Sequence, residues 1–74
     1  MSYAVRFLVR NTHAEEIEVD IEPWGEVHVL APQRALELLF EAPEPGLIEV
    51  ETGERRTTVY GWSRSVVSVT ERSA

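Results

Sequence analysis

Ala35-Leu36-Glu37-Leu38-Leu39-Phe40-Glu41-Ala42 is the stretch on which the fold class turns. Ala, Leu and Glu are good helix formers, and the segment is long enough for about two helical turns. Against helix, it is short and bounded by Pro32 and Pro43. Leu36, Leu38 and Phe40 share one parity and face Glu37, Leu39 and Glu41 on the other, the period-2 alternation of a half-buried strand. Read as a strand, it removes the only helical segment in view, and the chain becomes all-β.

The same alternation continues in both directions. Upstream, Val27 and Val29 oppose Glu26 and His28 in a strand from Glu26 to Leu30. Before it, Ile17, Val19 and Ile21 alternate with Glu16, Glu18, Asp20 and Glu22, a strand with an acidic outer face. Glu22-Pro23-Trp24-Gly25 joins the two as a β-turn, with Pro second and Gly fourth. Trp24 is placed there to cap one end of the core. The first strand carries Tyr3, Val5, Phe7 and Val9 on one parity and ends at Asn11-Thr12-His13. Downstream, Pro43-Glu44-Pro45-Gly46 is a break, followed by strands at Leu47 to Thr52, Arg55 to Trp62 and Ser65 to Thr70. The expectation is a compact antiparallel sandwich or barrel of about seven short strands. It forms one domain over residues 1–74, with residues 71–74 frayed.

The phrase Glu22-Pro23-Trp24-Gly25-Glu26, with Pro32 ahead of an apolar strand, resembles a pattern of short uncharacterised bacterial proteins. That resemblance spans about a third of the chain and implies no activity. The alternation is also similar to half of an immunoglobulin-like or cupredoxin-like sandwich. Blue-copper ligands are missing, because there is no Cys and the only Met is Met1.

A chain of 74 residues buries roughly 60–65% of its unfolded surface, which leaves little room for a deep private cavity. Without cysteine, neither disulfides nor thiolate metal sites support the fold, so a second subunit is a natural source of extra buried area. The net charge of −6 repels phosphate backbones and disfavours nucleic acid as a partner. All seven bases are Arg, whose planar guanidinium makes bidentate contacts. No apolar run approaches the ~20 residues that span a bilayer, so the expected location is cytoplasmic.

Only His13 and His28 offer imidazoles, and neither belongs to an H-x-H or H-E-x-x-H pattern. Glu26 and His28, two apart on one strand, share a face, and Glu37 or Asp20 would have to complete a mixed N/O metal set. The simpler reading is an exposed His beside an exposed Glu. Ser63, Ser65 and Ser68 lack a nucleophile-elbow turn and a paired base, and no carboxylate pair is singled out for acid–base work. No cofactor is expected, and whether the chain is an enzyme is left open, with a non-enzymatic role favoured.

The feature that asks for a partner lies near the C-terminus. If Gly53-Glu54 is a two-residue hairpin loop, Glu51 faces Arg56, Glu49 faces Thr58 and Ile48 faces Val59. Arg56, Tyr60, Trp62 and, if the strand runs on, Arg64 then share the outer face with Thr58. The two aromatics would each bury about 150–250 Å² against a partner. Leu8 and Leu39 have outward parity as well. A bulge at Gly61, or a longer loop, would instead turn Tyr60 and Trp62 into the core. The function expected from Arg56, Tyr60, Trp62 and Arg64 is a small protein-binding or self-assembly module, a homo-oligomer with a dimer favoured. Single-stranded nucleic-acid or carbohydrate binding on the same face is the alternative. A metal-dependent enzyme at Glu26 and His28 ranks last.

Overall fold

The structure, a computed structural model, describes residues 2–73; Met1 and Ala74, the last residue of the expected frayed tail, lie outside it. Seven strands form in chain order: β1 Tyr3–Arg10, β2 Ile17–Glu22, β3 Glu26–Leu30, β4 Arg34–Ala42, β5 Glu49–Thr52, β6 Arg56–Tyr60 and β7 Val66–Ser73. The described residues contain no helix, so the alternation outweighs helix propensity in β4. The strands make two open sheets, β1-β4-β7 and β3-β2-β6-β5, which do not close into a barrel.

Neighbours in both sheets are antiparallel except β2 and β6, which run parallel, a departure from the antiparallel expectation. β7 also continues three residues past Thr70, because Glu71, Arg72 and Ser73 pair with Leu36, Ala35 and Arg34 of β4. The Arg34 guanidinium anchors that end, donating to Glu71 at 2.9 Å and Ser73 at 3.2 Å.

One core lies between the sheets. Leu36, Leu38 and Phe40 of β4 and Val9 of β1 meet Ile17, Val19 and Ile21 of β2, Leu30 of β3 and Val59 of β6. Burial of each such side chain is worth about 1.5–3 kcal/mol. Phe40 sits between two indoles, its ring centre 6.2 Å from Trp24 and 6.1 Å from Trp62. Trp24 therefore caps the core end as its turn position implies. Asn11 is buried without cost: its amide donates to the carbonyls of Glu15 and Leu30, both at 2.9 Å, and its Oδ1 accepts from the His13 amide at 2.8 Å.

The β2–β3 turn spans Glu22 to Gly25, with a cis Glu22–Pro23 bond and Gly25 at φ 71°, a left-handed conformation that suits glycine. Ile21 is thereby set opposite Glu26, and Val19 opposite His28. Cross-strand partners share a face, so Glu26 and His28 follow Ile21 and Val19 to the inner side of their sheet. Val27 and Val29 face out, each 60% exposed. That reverses the expected polarity of β3.

Candidate functional site

β6 brings two of the four expected site residues, Arg56 and Tyr60, into place by lying beside β2. Their parallel register sets Arg56 opposite Glu18, Thr58 opposite Asp20 and Tyr60 opposite Glu22. On the other side β5 aligns Glu51 with Thr58 and Glu49 with Tyr60. The loop is longer than the expected two residues, closing with the Gly53 amide on the Arg56 carbonyl at 2.7 Å. Each pair therefore slips by two positions from the expected register, which preserves parity, and Arg56, Thr58 and Tyr60 remain outward.

Their polar groups are spent within the chain. Arg56 donates through Nε and Nη2 to one Glu18 oxygen, at 2.9 and 2.6 Å, and its Nε lies 3.0 Å from Asp20 Oδ2. Tyr60 donates its hydroxyl to Glu51 at 2.6 Å. That bond, with the carboxylates around it, pushes the phenol above its ordinary range. Hydrogen bonding to Glu18 likewise holds the Arg56 guanidinium protonated more firmly than usual.

Asp20 is the strained member of the group. Its side chain is only 13% exposed, and Oδ1 is buried without a hydrogen-bond partner. Burial, followed by the adjacent Glu18, pushes its carboxyl up. When protonated, Asp20 supplies a hydrogen bond to Glu18, and this bond together with Arg56 keeps the Glu18 carboxyl low. Asp20, Glu22, Glu51, Arg56, Thr58 and Tyr60 line an open basin of about 410 Å³. Its character is acidic: among the described residues paired outward across β2, β6 and β5, Arg56 is the one cation beside Glu18, Asp20, Glu22, Glu49 and Glu51.

Trp62 and Arg64 leave that face. β6 ends at Tyr60, and a turn closes with the Ser65 amide on the Trp62 carbonyl at 3.0 Å. Released from the pleat, Trp62 turns inward onto Phe40, and its indole donates to the Glu44 carbonyl at 2.9 Å. The alternative placement is thus realised for Trp62 and not for Tyr60. Arg64 sits in the turn at φ 68°, with Nη1 3.7 Å from Glu44. The four expected residues do not form one aromatic–arginine stripe.

Glu26 and His28 do meet, His28 Nε2 lying 3.0 Å from Glu26 Oε1. Their suggested co-ligands are elsewhere, because Asp20 faces the opposite side of its sheet and Glu37 has the outward parity of β4, opposite to that of Leu36 and Leu38 in the core. Among the described residues no three His, Cys, Asp or Glu side chains group as a metal site. Glu37 is held instead between Arg6, at 2.8 Å, and Arg72. Those two guanidinium groups, Arg6 first, keep its carboxyl below the usual range. Leu8, 44% exposed, and half-buried Leu39 flank this ion triad on the outside of β1-β4-β7.

The surface that parity alone missed is the outward row of β3, Val27 and Val29. A usable signal was present: a four-residue turn between Ile21 and Glu26 exchanges inward parity from odd to even positions. No protein-family model, curated protein or solved structure matches the chain. No helix among the described residues is long and apolar enough to cross a membrane.

Proposed function

We propose that this sandwich-like domain is a small protein-binding and self-assembly module whose contact surface is the β3 edge of its four-stranded sheet. The observation that carries the reading is the pair Val27 and Val29, each 60% exposed on a strand with a neighbour on one side only. Adjacent exposed valines on an open edge are a template for another strand. Two further grooves, one lined by Val29 and Arg55 and one by Leu8 and Arg72, are wide open to solvent, which suits contact with a surface.

The test is the mass in solution by light scattering across a dilution series. The wild-type chain is expected to associate as concentration rises, and a folded Val27→Lys/Val29→Lys variant to stay monomeric. Association that survives in the variant moves the surface elsewhere, and a wild type monomeric throughout removes the self-assembly reading.

A second reading has one observation behind it. The half-buried Tyr60 ring, lining the basin with Thr58 and the carboxylates of Glu22 and Glu51, suits a hydroxyl-rich ligand such as a carbohydrate. Nucleic acid is disfavoured there by the surplus of carboxylates. Shifts of the Thr58 and Tyr60 NMR signals on titration with an oligosaccharide panel test it; unmoved signals remove it.

A further inference from the structure

We infer that the occupant of the β3 edge is β3 of a second copy, paired antiparallel about a two-fold axis through His28. The inference rests on the assembly reading above and adds its partner and its register.

The backbone fixes which groups of β3 are free. Glu18 donates its amide to the Arg55 carbonyl at 2.8 Å, and the Glu22 carbonyl accepts from the Gly61 amide at 2.8 Å. The even positions of β2 thus spend their backbone groups on β6. Because these groups alternate sides along a strand, Ile17, Val19 and Ile21 direct theirs to β3, where their partners are Leu30, His28 and Glu26. Val27 and Val29 point both N–H and C=O away from β2, to the open edge. The two residues with exposed apolar side chains are therefore also the two with free backbone groups.

A two-fold axis through His28 uses every one of those groups. It sets Val27 opposite Val29 of the partner subunit and Val29 opposite Val27 of the partner subunit, each a hydrogen-bonded pair. The resulting ladder holds four backbone bonds, two for each pair. Four valines then pack together on the outer side of a continuous eight-stranded sheet. His28 lies opposite His28 of the partner subunit at a non-hydrogen-bonded position, and Glu26 falls opposite Leu30 of the partner subunit, so no carboxylates are opposed.

The other edge strands are defended by charge. β5 presents Glu49 and Glu51 outward, β1 presents Arg6 and Arg10, and β7 presents Arg72. Among the described edges only β3 carries no charge in its outward row, and like charges are what usually keeps edges apart. A five-residue seam is small beside the ~1,200 Å² of a stable interface, so the dimer is weak and concentration-dependent.

A cysteine pair traps such a dimer, and the chain has no cysteine to confuse the result. In the proposed register the two Cα atoms at position 28 lie about 4.5 Å apart, within disulfide range. His28→Cys is expected to form a covalent dimer under mild oxidation about tenfold faster than Thr52→Cys, an exposed control on the β5 edge. Adding Val29→Lys to His28→Cys should abolish the excess. On the unmodified chain, the Val27 and Val29 amides should gain hydrogen-exchange protection with concentration while β5 does not. Equal crosslinking rates in His28→Cys and Thr52→Cys overturn the register. If the valine variants still abolish association in that case, the assembly surface stands and only the two-fold pairing falls. If neither association nor amide protection is seen, both fall.

Discussion

Trp62→Ala separates an indole that belongs to the core from one that waits on the surface. In the structure the Trp62 ring is half-buried, packs on Phe40 at 6.1 Å and covers Gly46 closely enough that a β-carbon there would overlap it. Truncating a fully buried Trp costs 3–5 kcal/mol, so partial burial gives about 2 kcal/mol from lost packing. Loss of the bond from the indole to the Glu44 carbonyl adds about 1 kcal/mol, since the vacated carbonyl can be reached by water. The total of about 3 kcal/mol is a large part of the stability expected for a domain of this size, about 4–11 kcal/mol. The midpoint of thermal unfolding should fall by roughly 12–24 °C. Urea unfolding followed by circular dichroism is the assay, with Tyr60→Ala as the outward-facing comparison and a clearly smaller loss. A Trp62→Ala loss below about 1 kcal/mol, or no larger than that of Tyr60→Ala, would refute the inward placement.

Gly46→Ala should be destabilising in the wild-type background and close to neutral in Trp62→Ala, a coupling above about 1 kcal/mol in a double-mutant cycle by urea denaturation. Asn11→Ala leaves the buried Leu30 carbonyl short of a donor and should cost about 2–3 kcal/mol by the same assay. Glu37 has a folded pKa depressed below 4.5, so its contribution is present above that pH and lost as pH falls through the folded value. Acid titration of stability should therefore show Glu37→Gln with a shallower loss below pH 4.5 than the wild type. Asp20 has the opposite sign: its folded pKa is raised above 3.8, so wild-type stability falls as pH rises from 3.8 through that value. Asp20→Asn should gain on the wild type over that window, and a difference independent of pH would remove the assignment.

Strand positions were legible because alternation is a local signal. Ile17-Glu18-Val19-Asp20-Ile21-Glu22 shows its buried row without reference to any other strand, and the segment Ala35 to Ala42 behaves the same way despite its helix formers. The site was legible only in part. Parity placed Arg56 and Tyr60 outward, and a two-position slip in the hairpin left that intact. It failed for Trp62 because a turn begins after Tyr60 and the alternation has no meaning beyond a strand's end. It failed for Val27 and Val29 because β-branched apolar residues look like core, whereas an edge position and the turn before them turned that row to solvent.

What this amino-acid sequence determined by itself is an all-β chain of seven strands, its breaks, and an acidic outer row on β2. Those follow from the period of the pleat and from turn chemistry, both of which act over a few residues. Only the tertiary structure decided that β6 lies parallel to β2, so that Arg56 meets Glu18 and Asp20, and that β3 is left as an edge. Which strands become neighbours is settled by long-range burial around Phe40 and Val19 against the cost of closing loops, a sum that no local pattern contains.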